Sequence, residues 1–229
     1  MQAMRIAKFW IMMLLQYAIW SAWAVTVGKY MGDPPPNGLG IQDALLCLIA
    51  AWLASKNTLA VGYRMALTML AVPALLGFLR FSGIYPLETW HPLFTLLSAS
   101  AALPLLAICV LAPQSVVATR KQFAIIFLGV TMLLGLLISG LGKLRIYDQA
   151  LGLMSMLVIL VAMMKRSENT RALGAALMLA GSVLFVLKVS VPPWLMPGDW
   201  LHLGMAFGLI LVTPEVLVMR DLPSAQEIT

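Results

Sequence analysis

Residues 122–141 have the sequence QFAIIFLGVTMLLGLLISGL, a run of 20 residues that carries no charged side chain. An α-helix rises about 1.5 Å per residue, so about 20 apolar residues cross the hydrocarbon core of a bilayer. Arg120 and Lys121 precede the run and Lys143 follows it. An uncharged stretch of this length between basic residues predicts a membrane-spanning helix.

The rest of the chain has the same character. Hydrophobic residues occupy 62% of the 229 positions and charged residues only 10%, whereas a soluble domain has about 25% charged residues. We therefore predict an all-α fold, a polytopic transmembrane helix bundle with a seven-helix core plus an N-terminal helix. The eight predicted spans are residues 9–28, 40–55, 63–82, 90–112, 122–141, 147–164, 171–189 and 199–219.

Three regions follow from these spans. Residues 1–39 form an N-terminal transmembrane helix and loop, residues 40–219 the membrane bundle, and residues 220–229 a polar tail. The first span allows two interpretations, because Ala22-Trp23-Ala24 fits the small-x-small pattern of signal-peptide cleavage. Its bulky tryptophans and long apolar stretch favour an uncleaved signal anchor, whereas cleavage would remove residues 1–24.

The basic residues predict the orientation. Assigned to alternate sides by loop, ten lysines and arginines fall on the side of the termini and five on the other. The positive-inside rule then places both termini in the cytoplasm if the first helix is retained, in the cytoplasmic (inner) cell membrane. The net charge of +6 comes from these short loop clusters. Nucleic acid is therefore not an expected partner, whereas membrane lipid and other membrane protein subunits are.

Most ionisable side chains of the predicted spans lie within about two helical turns of the outer interface. An ionisable group inside a membrane costs free energy and indicates function, so we predict an outward-facing polar pocket. The candidates for its lining or its ion pairs are Arg80, Lys143, Tyr147 and Lys188, and the nearby acids and imidazoles are Asp43, Glu88, His91, Asp148, Asp199 and His202.

Two pairs in this set have the spacing of a shared helix face, Glu88-x-x-His91 and Asp199-x-x-His202. All four residues are candidate metal ligands, and a zinc ion would need a further ligand such as Asp43 or Asp148. Alternatively, the two histidines could bind haem b axially. The structural alternative is that Asp199 caps a helix, with His202 in its first turn.

Three short motifs at predicted helix starts carry a resemblance: Asp43, Tyr147-Asp148, and Gly198-Asp199-Trp200-Leu201-His202. Their order resembles a seven-helix superfamily that contains alkaline ceramidases, the progestin and adipoQ receptors, and uncharacterised bacterial relatives. The active members are zinc amidases that act on lipids with histidines of the second and seventh helices and an aspartate. The resemblance implies Asp148 and Asp43 as catalytic candidates.

The chain departs from that pattern at its metal site. Gly77-Phe78-Leu79-Arg80 has arginine where the resemblance implies a histidine, and Ala206 occupies the position of a second histidine in the last helix. The first hypothesis is therefore a non-catalytic membrane subunit or lipid-binding relative of these hydrolases. The alternatives are a zinc-dependent membrane lipid amidase or hydrolase, with zinc-bound water as nucleophile, and a bis-histidine haem b electron carrier.

Overall fold

The computed structural model describes residues 40–81, 87, 90–142, 144, 146–191 and 195–213. The described part of the chain is mostly helical, with short turns between the helices and an isolated β-bridge between Val191 and Leu195 before the last helix. The helices are α1 (Ile41–Ser55), α2 (Val61–Phe81), α3 (Trp90–Leu111), α4 (Val116–Thr119), α5 (Lys121–Leu141), α6 (Ile146–Lys165), α7 (Asn169–Val186) and α8 (Pro197–Val212). The predicted span at residues 9–28 and the predicted tail at residues 220–229 lie outside the described residues.

Five of these helices, α2, α3, α5, α6 and α7, are long and apolar enough to cross a membrane, and α1 and α8 are shorter apolar helices. Their bounds agree with the predicted spans within three residues, except at the end of α8. The prediction that the last helix continues to residue 219 is wrong, because α8 ends at Val212. Thr213 has extended backbone angles, as expected for a residue before proline.

The helix α3 contains a π-helical segment, Ser98–Ala102, just before Pro104. Proline has no N–H to donate within a helix, and a π-helical turn accommodates the lost bond. In the same segment Ser100 packs against Gly135 of α5, where an added Cβ would lie 2.7 Å from the Ser100 Cβ. The two long apolar helices therefore approach each other closely at this point.

The helices form a ring in which each packs against its neighbours. Following the ring, α1 contacts α2, α2 contacts α3, α3 contacts α6, α6 contacts α7, α7 contacts α8, and α8 returns to α1, while α5 packs against α2 and α3. Each long helix has a most apolar stretch of 18 residues. In α2 72% of this stretch is buried inside the bundle, whereas in α5 only 22% is. The apolar side chains that α5 leaves exposed include Ile126, Val130, Leu133 and Leu137. A surface of this composition suits hydrocarbon rather than water.

At one end of the bundle three arginines bind the carboxyl ends of neighbouring helices. Arg64 Nε donates to Ala54 O of α1 at 2.8 Å, and Arg166 Nη2 donates to Leu111 O of α3 at 2.8 Å. In the same way, Arg171 Nε donates to Val212 O of α8 at 3.0 Å. The last carbonyls of a helix have no intrahelical partner, so these guanidinium groups cap three helices. We call this the arginine end.

Candidate functional site

Asp43 is an acidic side chain buried at the opposite end, which we call the polar end. Gly40 precedes α1 with a left-handed φ of 57°, and a Cβ there would lie 3.1 Å from Phe78 Cα. The chain therefore enters α1 in contact with the last turns of α2. Asp43 lies in the first turn of α1 and only 2% of its surface is exposed. The partial positive charge of a helix N-terminus favours a carboxylate at this position.

His202 of α8 lies beside this carboxylate. His202 Nδ1 is 3.2 Å from Asp43 Oδ1, although the angles between the two groups are not those of a hydrogen bond, and both atoms are buried without a hydrogen-bond partner among the described residues. Close packing of α8 on α7 fixes the position of His202. A Cβ on Gly181 of α7 would lie 2.5 Å from Trp200 O, and one on Gly204 of α8 would lie 2.6 Å from Leu177 O.

His91 of α3 reaches the same carboxylate over Gly77 of α2. A Cβ on Gly77 would lie 2.8 Å from Asp43 Cγ and 3.0 Å from His91 Nε2. Asp43 Cγ and His91 Nε2 are therefore no further apart than the sum of these two distances. The missing side chain of Gly77 therefore makes room for α1 and α3 to bring their polar groups together against α2.

Arg80 completes the group from the last turn of α2. Arg80 Nη1 is 3.5 Å from His91 Nδ1, a long hydrogen bond. A guanidinium has only donors, so Nδ1 accepts, and a neutral His91 carries its proton on Nε2, the nitrogen next to Asp43. We call Asp43, Arg80, His91 and His202 the Asp43 cluster.

The other predicted site residues have different positions. The Asp199 carboxylate accepts a bond from Met196 N at 2.7 Å and so caps the first turn of α8. Tyr147 and Asp148 lie half-buried in the first turn of α6, and Asp148 Oδ1 is buried without a hydrogen-bond partner in the described part of the chain. Lys188 is exposed with a φ of 54° and forms no ion pair with a described carboxylate. Glu88 and Lys143 lie outside the described residues.

The acid that accompanies His202 is therefore Asp43 from another helix, rather than Asp199 three residues earlier. The sequence contains a partial signal for this arrangement, because Asp43 and His202 both begin apolar spans that open at the same side of the predicted bundle. The contribution of Gly77 has no such signal, since it depends on how closely the helices approach each other.

A family model matches residues 41–221, more than half of the chain. The chain belongs to a family of unknown function, DUF6962. The DUF6962 match begins at the first residue of α1 and includes every member of the Asp43 cluster. No curated protein and no solved structure matches the chain.

Metal and haem ligation have different requirements at this DUF6962 site. Within the described ranges, no three His, Cys, Asp or Glu side chains are grouped so as to hold a metal ion. His202 alone has the surroundings of a metal ligand, with a carboxylate behind Nδ1 that leaves Nε2 free. A bis-histidine haem would need a ring nitrogen of His91, whose Nδ1 accepts from Arg80 and whose Nε2 lies on the Asp43 side of the ring.

Proposed function

We propose that this chain is a multi-pass membrane protein that binds a lipid or lipid-like molecule, non-catalytically, with its polar headgroup in the Asp43 cluster. The observation that carries the proposal is the burial of Asp43, a carboxylate 2% exposed whose Oδ1 has no hydrogen-bond partner among the described residues. Buried polar groups are almost always satisfied, and an ionisable group within a membrane bundle is costly to keep. A ligand that supplies the missing donor accounts for both features.

The surface of the bundle supports a lipid-like ligand. The helices α5, α6 and α7 each bury less than a third of their most apolar window, 22%, 28% and 28% respectively. Hydrocarbon chains are therefore the natural surroundings of these three helices, of which α5 packs against α2 and α3 and α7 packs against α8. A molecule with an apolar chain and a polar head could keep its chain in this environment while its head enters the cluster.

The chemistry of the cluster supports binding rather than catalysis. Asp43 and His202 could orient and accept a proton, but no described serine, threonine or cysteine side chain hydrogen-bonds to either imidazole. Thr95 is the nearest such residue along α3, and its hydroxyl donates to the backbone carbonyl of His91 at 2.7 Å. A histidine and a carboxylate without a positioned nucleophile form only part of a catalytic set.

The test is ligand retention by purified protein in maltoside micelles, measured by native mass spectrometry. We expect a bound lipid-like molecule in the wild type and a loss of at least about tenfold in His202→Ala and Asp43→Asn. Arg120→Gln is the control, because Arg120 is exposed and precedes α5 at the arginine end. Equal retention in all four proteins, or no retained molecule in any of them, would refute the proposal.

The second candidate is a zinc-dependent lipid amidase or hydrolase, as the resemblance to the ceramidase superfamily implies. The observation that favours it is the Asp43–His202 pair, since metal-binding histidines commonly have a carboxylate on the second ring nitrogen. Zinc bound there would supply an activated water. Elemental analysis separates the candidates, because a hydrolase would contain about one zinc per chain, lost in His202→Ala, whereas the binding proposal predicts no stoichiometric zinc.

Two further alternatives have simple tests. A haem carrier would show a Soret absorption band in the purified protein, and none is expected. A membrane subunit would use the polar end to dock another membrane chain. In that case a partner would co-purify stoichiometrically with the wild type and dissociate in Asp43→Asn, while no lipid-like molecule was retained.

A further inference from the structure

Arg80 differs from the capping arginines in what its guanidinium contacts. Arg64, Arg166 and Arg171 each donate to a backbone carbonyl at the end of a neighbouring helix. Arg80 also lies in the last turn of a helix, yet the contacts described for it are with side chains. Its charge is therefore not used to cap a helix.

The described side chains around Arg80 do not neutralise its charge. Its Nη1 reaches His91 Nδ1 at 3.5 Å, and its Cζ lies 5.6 Å from the centre of the Phe81 ring. Among the described residues, Arg80 Nε is buried without a hydrogen-bond partner and no carboxylate forms an ion pair with this guanidinium. A neutral imidazole and an aromatic ring attract a cation only weakly. With respect to the described residues, donor capacity and positive charge both remain for a ligand.

Asp43, the buried acid of the cluster, lies beside both imidazoles but has no hydrogen-bond partner for Oδ1 among the described residues. Its Oδ1 lies 3.2 Å from His202 Nδ1, and its carboxylate also faces His91 Nε2 across Gly77. Because His91 accepts from Arg80 on Nδ1, a neutral His91 carries its proton on Nε2, the nitrogen on the Asp43 side of the ring. The imidazole of His91 thus stands between the cation and the carboxylate.

We propose that Arg80 selects the ligand by binding an anionic group of its head, a monoprotonated phosphate whose remaining hydroxyl can donate to Asp43. This inference rests on the proposed lipid-binding function and names the chemical class of the ligand. A planar guanidinium presents parallel N–H donors that match two oxygens of such an anion, and a lysine ammonium cannot reproduce this fork. The apolar chain of the ligand distinguishes an amphiphile from a free anion.

The test titrates four probes into purified protein in neutral maltoside micelles and measures binding by isothermal titration calorimetry. The probes are dodecyl phosphate, dodecanol, dodecylphosphocholine and inorganic phosphate. We expect dodecyl phosphate to bind saturably and at least about tenfold more tightly than dodecanol or inorganic phosphate. Dodecylphosphocholine should bind more weakly than dodecyl phosphate, because its choline group offsets the negative charge.

Variants of Arg80 identify the residue responsible. Arg80→Gln should weaken dodecyl phosphate binding at least about tenfold, which brings it close to dodecanol binding. Arg80→Lys should fall between this variant and the wild type, since the charge remains without the fork. Arg120→Gln, which removes an exposed arginine at the opposite end, should bind as the wild type does. Thermal unfolding of each variant verifies that it is folded.

The outcomes separate this inference from the proposed function. Binding that is lost in His202→Ala but is equal for dodecyl phosphate and dodecanol, and unchanged in Arg80→Gln, would leave the lipid pocket intact and overturn the assignment of Arg80. Inorganic phosphate binding as tightly as dodecyl phosphate would show a site for a free anion and overturn the lipid-like ligand. The absence of saturable binding by any probe would overturn both.

Discussion

The two ends of the bundle use the same ionisable residue types in opposite ways. At the arginine end, Arg171 donates to the last carbonyl of α8 and pairs with Glu168. At the polar end, Arg80 and Asp43 each keep a buried polar atom without a hydrogen-bond partner among the described residues. Charged groups whose hydrogen bonds are satisfied stabilise the ends of helices. Buried charged groups left partly unsatisfied cost folding free energy and so indicate a ligand.

Sequence position alone does not reveal this difference. Arg64 follows the start of α2 by three residues and Arg80 lies in the last turn of the same helix, so the two arginines belong to opposite ends of one element. The partners available at each end distinguish them. At the arginine end Arg64 reaches one of the last carbonyls of α1, whereas at the polar end Arg80 reaches the first turn of α3 through the His91 side chain.

The largest expected effect concerns the placement of the two ends on opposite sides of the membrane. Lys188 and Lys165 are exposed at the polar end and the arginine end respectively. With Cys47 and Cys109 replaced by alanine, Lys188→Cys should react with an impermeant thiol reagent in intact cells. Lys165→Cys should react only after permeabilisation. Labelling of both variants in intact cells would contradict the arrangement.

The next effect concerns the close approach at the polar end. Gly77→Ala places a Cβ 2.8 Å from Asp43 Cγ and 3.0 Å from His91 Nε2. Ligand binding should fall by at least about tenfold, and overpacking should cost about 1–3 kcal/mol, less the gain of about 0.5–1 kcal/mol from replacing a helical glycine. Binding assays and thermal unfolding in micelles measure the two effects.

Gly129→Ala is the matched control for this substitution. Gly129 is also helical, in α5, but nothing lies within 4 Å of an added Cβ. The control should bind ligand normally and be as stable as the wild type or slightly more so. Similar binding in Gly77→Ala and Gly129→Ala would show that the Asp43 cluster does not depend on the close approach at Gly77.

A smaller effect is expected from the buried hydrogen bond at the arginine end. Tyr63 Oη lies 2.9 Å from Thr213 Oγ1, and the Tyr63 side chain is fully buried. Tyr63→Phe removes the hydroxyl with little change of shape, so it should lower the free energy of unfolding by about 1 kcal/mol. Ligand binding should not change. A loss of binding in this variant would contradict the separation of roles between the two ends.

The smallest effect is expected at the exposed cap of α3. Arg166 is exposed and donates to Leu111 O at 2.8 Å and to Val110 O at 3.3 Å. Solvent weakens such bonds, so Arg166→Gln should cost about 0.5 kcal/mol. Arg120→Gln, with no helix cap to lose, should leave thermal unfolding unchanged. A larger loss in Arg120→Gln than in Arg166→Gln would show that capping is not the role of Arg166.

The helices could be predicted from the sequence because an uncharged apolar run has one stable conformation in hydrocarbon. The run at residues 122–141 and the helix α5 (Lys121–Leu141) differ by a single residue. The π-helical segment Ser98–Ala102 could not be predicted, because Pro104 shows that a helical hydrogen bond is lost but not how the helix accommodates the loss.

The candidate site could be predicted only in outline. The depth of His91 and His202 follows from the positions of the predicted spans. The choice of Asp43 rather than Asp199 as the neighbour of His202 depends on contacts between helices. The same is true of Arg80, whose guanidinium faces His91 because Gly77 lets α1 and α3 converge on α2. Such contacts join residues far apart in sequence, and no local pattern encodes them.

The most direct test of the difference between the two ends compares Arg80→Gln with Arg171→Gln, with ligand binding and thermal unfolding measured on the same samples. Arg80→Gln should lose binding at least about tenfold and change stability little, because its guanidinium makes only a long hydrogen bond to His91 and its buried Nε has no acceptor among the described residues. Arg171→Gln should keep binding and lose about 1–3 kcal/mol of stability with its bond to Val212. Loss of stability in both variants with binding intact in both would contradict the account.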